Sequence, residues 1–107
     1  MQWVPFRYRD FWDVPRMFLI QHENRHILFD CPWDEQEEDY NDKYQIYLMP
    51  ALPEKDLEGS WAGLPQRAIL HLGAIPVPEV RFDSTRRQQV DSTILDSFAN
   101  ARDIAAG

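Results

Sequence analysis

Cysteine is almost missing from this chain. Cys31 is the only one in 107 residues, so no intramolecular disulfide can form, and a reducing compartment is the expectation. Glycine is scarce as well, at four residues, and none lies in a pattern that could cradle a phosphate. No uncharged apolar run approaches the roughly 20 residues needed to cross a bilayer, and no basic stretch leads into an apolar one near the start. The expectation is a cytoplasmic protein with no membrane partner. Positive charge is also short: eleven Lys and Arg face eighteen Asp and Glu, for a net charge of −7. General affinity for nucleic acid, which rests on neutralising phosphates, is therefore not expected. Repeats, linkers and low-complexity segments are lacking too.

What is present is apolar and aromatic. The composition is 44% hydrophobic with four Trp, four Tyr and six Phe, which is that of a globular chain. Its length suits a single domain, 1–107, with one modest core.

Charge is unevenly placed. Residues 30–58 hold ten of the eighteen acidic side chains against only Lys43 and Lys55, and the remainder sums to +1. The densest part, Asp34 to Asp42, lies between the apolar runs Ile27–Phe29 and Ile46–Met49 and reads as a charged loop inside a folded domain.

The clearest structural signal is a hairpin. Folding Pro15–His22 onto Arg25–Cys31 about Glu23-Asn24 sets Phe18 opposite Phe29, Leu19 opposite Leu28 and Ile20 opposite Ile27, so that like meets like across the strands. The turn lacks the glycine that two-residue turns favour, and a four-residue loop from His22 to Arg25 keeps the same register. Apolar residues at consecutive positions predict that both faces are covered. Further strands are expected over Trp3–Arg9, at an edge because of Pro5, over Tyr44–Met49, over Arg67–Leu72 and, briefly, over Val80–Asp83. Pro53–Leu57 suits one helical turn. Val90, Ile94, Phe98 and Ala101 follow helical spacing and predict an amphipathic helix capped by Asp83 or Ser84, or starting at Asp91. The expected fold is α+β: a small antiparallel sheet or partly open barrel of five to six strands with one C-terminal α-helix.

No motif identifies a reaction. Aligned with a calcium-binding loop, the acidic stretch places Asp39 where Gly is required and Gln45 where the bidentate Glu belongs, so no metal and no cofactor is expected. Cys31 is flanked by Asp30 and Asp34, the wrong sign to stabilise a thiolate, and reads as a small buried hydrophobe. His22 and His26 fall on opposite parities of the hairpin and would need a third ligand, such as Glu23 or His71. Ser60 in Gly59-Ser60-Trp61-Ala62-Gly63 does not match a nucleophile elbow. The N-terminal mixture of Trp3, Phe6, Arg7, Tyr8, Arg9, Phe11, Trp12 and Arg16 supplies core aromatics or an interface rich in Trp, Tyr and Arg.

The leading expectation is a small acidic interaction protein that binds another protein or itself through an aromatic surface and the 30–58 segment. The residues proposed for that contact are Trp33, Glu35, Glu37, Glu38, Asp39, Tyr40 and Trp61, with Trp33 and Trp61 as exposed anchors. The alternative is a small-ligand-binding protein or enzyme with an aromatic-lined pocket between sheet and helix, in which Arg67, His71 and Arg81 converge.

Overall fold

The computed structural model describes residues 3–22, 25–83 and 89–98. Strands β1 (Trp3–Trp12), β2 (Val14–His22), β3 (Arg25–Asp30), β6 (Lys43–Met49), β7 (Leu70–Pro76) and β8 (Gln89–Asp91) form one antiparallel sheet, in the order β7-β6-β3-β2-β1-β8. Between β3 and β6 the chain makes a separate small hairpin from β4 (Trp33–Asp34) and β5 (Asp39–Tyr40).

The β2–β3 register is the expected one, Phe18 with Phe29, Leu19 with Leu28 and Ile20 with Ile27; the turn residues Glu23 and Asn24 lie outside the described residues. A second hairpin, β1–β2, pairs Trp12 with Val14 around Asp13 alone. Asp13 turns the chain at φ 65° and Asp10 sits at φ 59°; Asp is one of the few non-glycine residues that tolerate this region. The β6–β7 pairing carries a bulge at Ile46/Tyr47, opposite Gly73 at φ 152°, a value that suits glycine.

Alternation along these strands divides the apolar residues between two faces, and both are covered. On the first face Phe18, Phe29 and Tyr44 pack ring on ring, with Ile20, Ile27, Ile46 and Leu48 around them, beneath Val80, Val90 and Leu95. Phe18 and Phe29 stack at 4.4 Å between centroids, and Tyr44 meets Phe18 edge-on at 5.2 Å. On the second face Met17, Leu19, Leu28 and Met49 are covered by the irregular segment 50–68 through Leu52, Leu57, Trp61 and Leu64. That segment includes the expected turn as a 3₁₀ helix, Glu54–Leu57.

The α+β expectation is overturned: the protein is mainly β, and the described residues contain 3₁₀ turns but no α-helix. Where the C-terminal helix was expected, Gln89–Asp91 is a strand and Ser92–Phe98 a 3₁₀ helix; Ser84, Ala101 and the rest of that expectation lie outside the described residues. Val90 is drawn into the sheet by pairing with Val4 and bridging to Phe82. Asp91 then turns the chain sharply, its Oδ1 accepting hydrogen bonds from the Thr93 amide at 3.0 Å and hydroxyl at 2.7 Å. Tertiary pairing outweighs a helical spacing of few residues.

Three boundaries also move. β1 is not terminal, because β8 covers Trp3, Val4 and Pro5; from Phe6 to Trp12 no strand lies on that side among the described residues. β7 starts at Leu70, since Pro65 opens a 3₁₀ turn that takes up Arg67. The short strand expected at Val80–Asp83 reduces to the Phe82–Val90 bridge.

Candidate functional site

The register brings one end of the sheet together from distant parts of the sequence: the β1–β2 tip, the end of β3, the β4–β5 hairpin and the start of β6. Arg16 links them. Its Nε donates to the Trp12 carbonyl at 2.9 Å, its guanidinium lies 4.6 Å over the Tyr40 ring, and Nη1 reaches Cys31 Sγ at 3.4 Å. Tyr40 in turn meets Trp33 edge-on at 5.2 Å. The thiol of Cys31 donates to the Asn41 carbonyl at 2.8 Å and the Tyr44 hydroxyl to the Pro15 carbonyl at 2.7 Å.

The acidic stretch is an ordered hairpin turn. Asp34 Oδ1 accepts from the amides of Gln36 at 2.9 Å and Glu37 at 3.3 Å, and Asp39 Oδ1 from the Tyr40 amide at 2.7 Å. Glu38 closes the turn at φ 51°. Two carboxylates thus serve the backbone, while Glu35, Glu37 and Glu38 face solvent. Among the described residues no group of three or more His, Cys, Asp or Glu is arranged to hold a metal ion.

Trp33, Glu35, Glu37, Glu38, Asp39 and Tyr40 therefore lie on one small hairpin, where the expectation was a charged loop. Trp61 does not join them. It is 2% exposed on the second face, with Nε1 donating to the Leu57 carbonyl at 3.1 Å and Arg9 4.6 Å over its ring. The tip that Arg16 ties to Tyr40 carries two further exposed aromatics, Trp12 and Phe11; exposures are 62% for Trp12, 60% for Phe11 and 54% for Trp33. Both tip residues stand out in the sequence, but placing them needed the one-residue turn at Asp13.

Nine carboxylates occupy this end, six on the residue 34–42 segment and three on Asp10, Asp13 and Asp30, against Arg16 and Lys43. Burial and then the nearby Asp10 carboxylate push the Asp30 carboxyl up to about 6. Burial, followed by Asp30, raises the Tyr47 hydroxyl. Burial also pushes the Cys31 thiol up, and Arg16 only partly opposes it, so Cys31 is a protonated, buried donor without the properties of a nucleophile.

The polar trio does not converge. Arg67 pairs with Asp56 at 3.1 Å, His71 shares a hydrogen bond with Gln45 at 2.9 Å beside the Tyr47 ring, and Arg81 borders a shallow depression with Glu79 and Thr93. The expected pocket between sheet and helix has no α-helix among the described residues to form it. A groove of about 460 Å³ does open beside the β1–β2 tip, lined by Phe6, Phe11, Val14, Pro15 and Phe82 with Asp13 and Asp83 at its rim. Among the described residues no helix is long and apolar enough to cross a membrane.

Comparison of the chain with protein-family models, with curated proteins and with solved structures gives no match.

Proposed function

We propose that this chain is a small cytoplasmic interaction protein that binds a basic partner protein through its acidic, aromatic end. The observation that carries the reading is the juxtaposition of exposed Phe11, Trp12 and Trp33 with nine carboxylates on a rigid frame fastened by Arg16. Exposed Trp side chains that could instead be buried cost solvation free energy, and Trp is enriched among the residues that dominate binding at protein interfaces. The surrounding charge gives such a surface a preference in sign and a fast, salt-sensitive encounter. A symmetric contact between two copies through this end would set nine carboxylates against nine, so a partner of opposite charge fits better than a second copy. A single buried, protonated thiol suits a reducing compartment.

Affinity capture from lysate at low and high salt tests the reading, run in parallel with wild type and Trp33→Ala. Proteins retained by wild type at low salt, and lost both in high salt and with the variant, are the expected result. An identical retained set for the two chains, indifferent to salt, would remove it.

A further inference from the structure

Resting on the reading above, we infer that the groove beside the β1–β2 tip takes a single large aliphatic or aromatic side chain of the partner, flanked in the partner by Lys or Arg. The floor is set by rings already locked to one another: Phe82 lies 5.4 Å from both Phe6 and Phe18, edge-on to each. Phe11, Val14 and Pro15 form the wall at the tip. Its volume, about 460 Å³, falls in the range of roughly 300–1,000 Å³ typical of ligand pockets, whose apolar walls and few polar groups it shares.

Two features select the occupant. Among the described lining residues Asp13 is acidic and belongs to the carboxylate-rich end, so an incoming apolar residue with a basic neighbour gains and one with an acidic neighbour loses. The groove is also continuous with the proposed binding surface. Phe11 belongs to its wall and, through its 5.8 Å contact with Tyr8, to the exposed aromatic strip of β1. Asp13, at the apex of the turn, is one of the nine carboxylates of that end. An extended segment of a basic protein can place its anchor in the groove and its following residues on Trp12 and Trp33; a small apolar molecule would fill the groove and leave the strip uncovered.

Titration of the isotope-labelled protein with an acetylated Arg-Lys-Leu-Phe-Lys-Arg peptide, and with a counterpart carrying Ser-Ser for Leu-Phe, tests the inference by nuclear magnetic resonance. Shifts are expected at Val14 and Phe82 as well as at Trp33. Phe11→Ala should weaken binding about tenfold and Asp13→Asn about threefold, the latter with a shallower salt dependence. Phe11 is exposed and Asn retains the backbone preference of Asp at position 13, so both variants are chosen to fold. Equal binding of the Ser-Ser peptide, or shifts at Trp33 without shifts at Val14 and Phe82, overturns the groove and leaves the acidic aromatic end standing. Groove shifts indifferent to Trp33→Ala overturn the end instead. Toluene binding there as tightly as the peptide, or a concentration-dependent mass abolished by Phe11→Ala, would each assign a different occupant and reject the partner segment.

Discussion

Arg9 and Arg16 treat two irregular segments in the same way and with opposite results. Each guanidinium lies 4.6 Å over an aromatic ring while also donating to main-chain carbonyls, Arg9 to Leu57 and Gly59 and Arg16 to Trp12. In segment 50–68 the ring under the arginine is Trp61 itself, and the tryptophan is consumed in covering the second face. In segment 32–42 it is Tyr40, and Trp33 is left outside. A single sheet with few glycines and no α-helix among the described residues fastens its loops with strand-borne arginines. The aromatic that is not fastened is the one available to a partner.

The contrast can be broken most severely at Trp61. Trp61→Ala should cost about 3–5 kcal/mol in urea unfolding, because the cover loses its largest buried side chain. A loss below about 1 kcal/mol would show that segment 50–68 does not depend on it. Arg9→Ala should follow at about 1–2 kcal/mol through the lost hydrogen bonds to the Leu57 and Gly59 carbonyls and the lost packing on Trp61, and Arg9→Lys should recover little, since an ammonium cannot reproduce the fork.

Asp30 sharpens the comparison, because it leads into the 32–42 segment and is held against its chemistry. Its carboxyl is raised from 3.8 to about 6, so the folded state keeps the proton longer than the unfolded chain does. The resulting cost is absent below pH 4, grows as pH rises from 4 to 6, and is fully present above that. Asp30→Asn should therefore stabilise the protein by about 1 kcal/mol at pH 7.5, a figure reduced for partial exposure, and the gain should vanish by pH 4. Denaturant midpoints at the two pH values decide it; equal gains at both would remove the burial of the Asp30 charge, and with it the Asp10 repulsion, as the cause. The smallest expected effect is at Trp33, where Ala should change stability by less than about 0.5 kcal/mol while abolishing partner retention. A large loss of stability there would make Trp33 a second Trp61.

The sequence made the β2–β3 register readable because apolar residues occupy consecutive positions on both strands, leaving one alignment that pairs like with like. It made the acidic hairpin readable as a loop, though not its Asx-type turn. It could not separate Trp33 from Trp61: both stand in irregular stretches, and their exposure depends on which arginine arrives from a strand far away in sequence. The β1–β2 tip was hidden because one Asp, rather than a Gly-containing pair, makes the turn. The helix was misread because Val90, Ile94 and Phe98 carry helical spacing while Gln89–Asp91 is too short for strand alternation to announce itself. Arg67, His71 and Arg81 were plausible pocket groups by type, and only the fold shows that they are spread over different parts of it.

The strand order β7-β6-β3-β2-β1-β8 also orders events in time. Every pairing from β7 to β1 joins consecutive strands of the main sheet, so each can close with a modest loop entropy, whereas Val4 must find Val90 across most of the chain. That last seam has three residue pairs. It should zip last when the protein folds and open first when it breathes, which makes the Val90 amide the one expected to exchange ahead of Phe29 and Ile46.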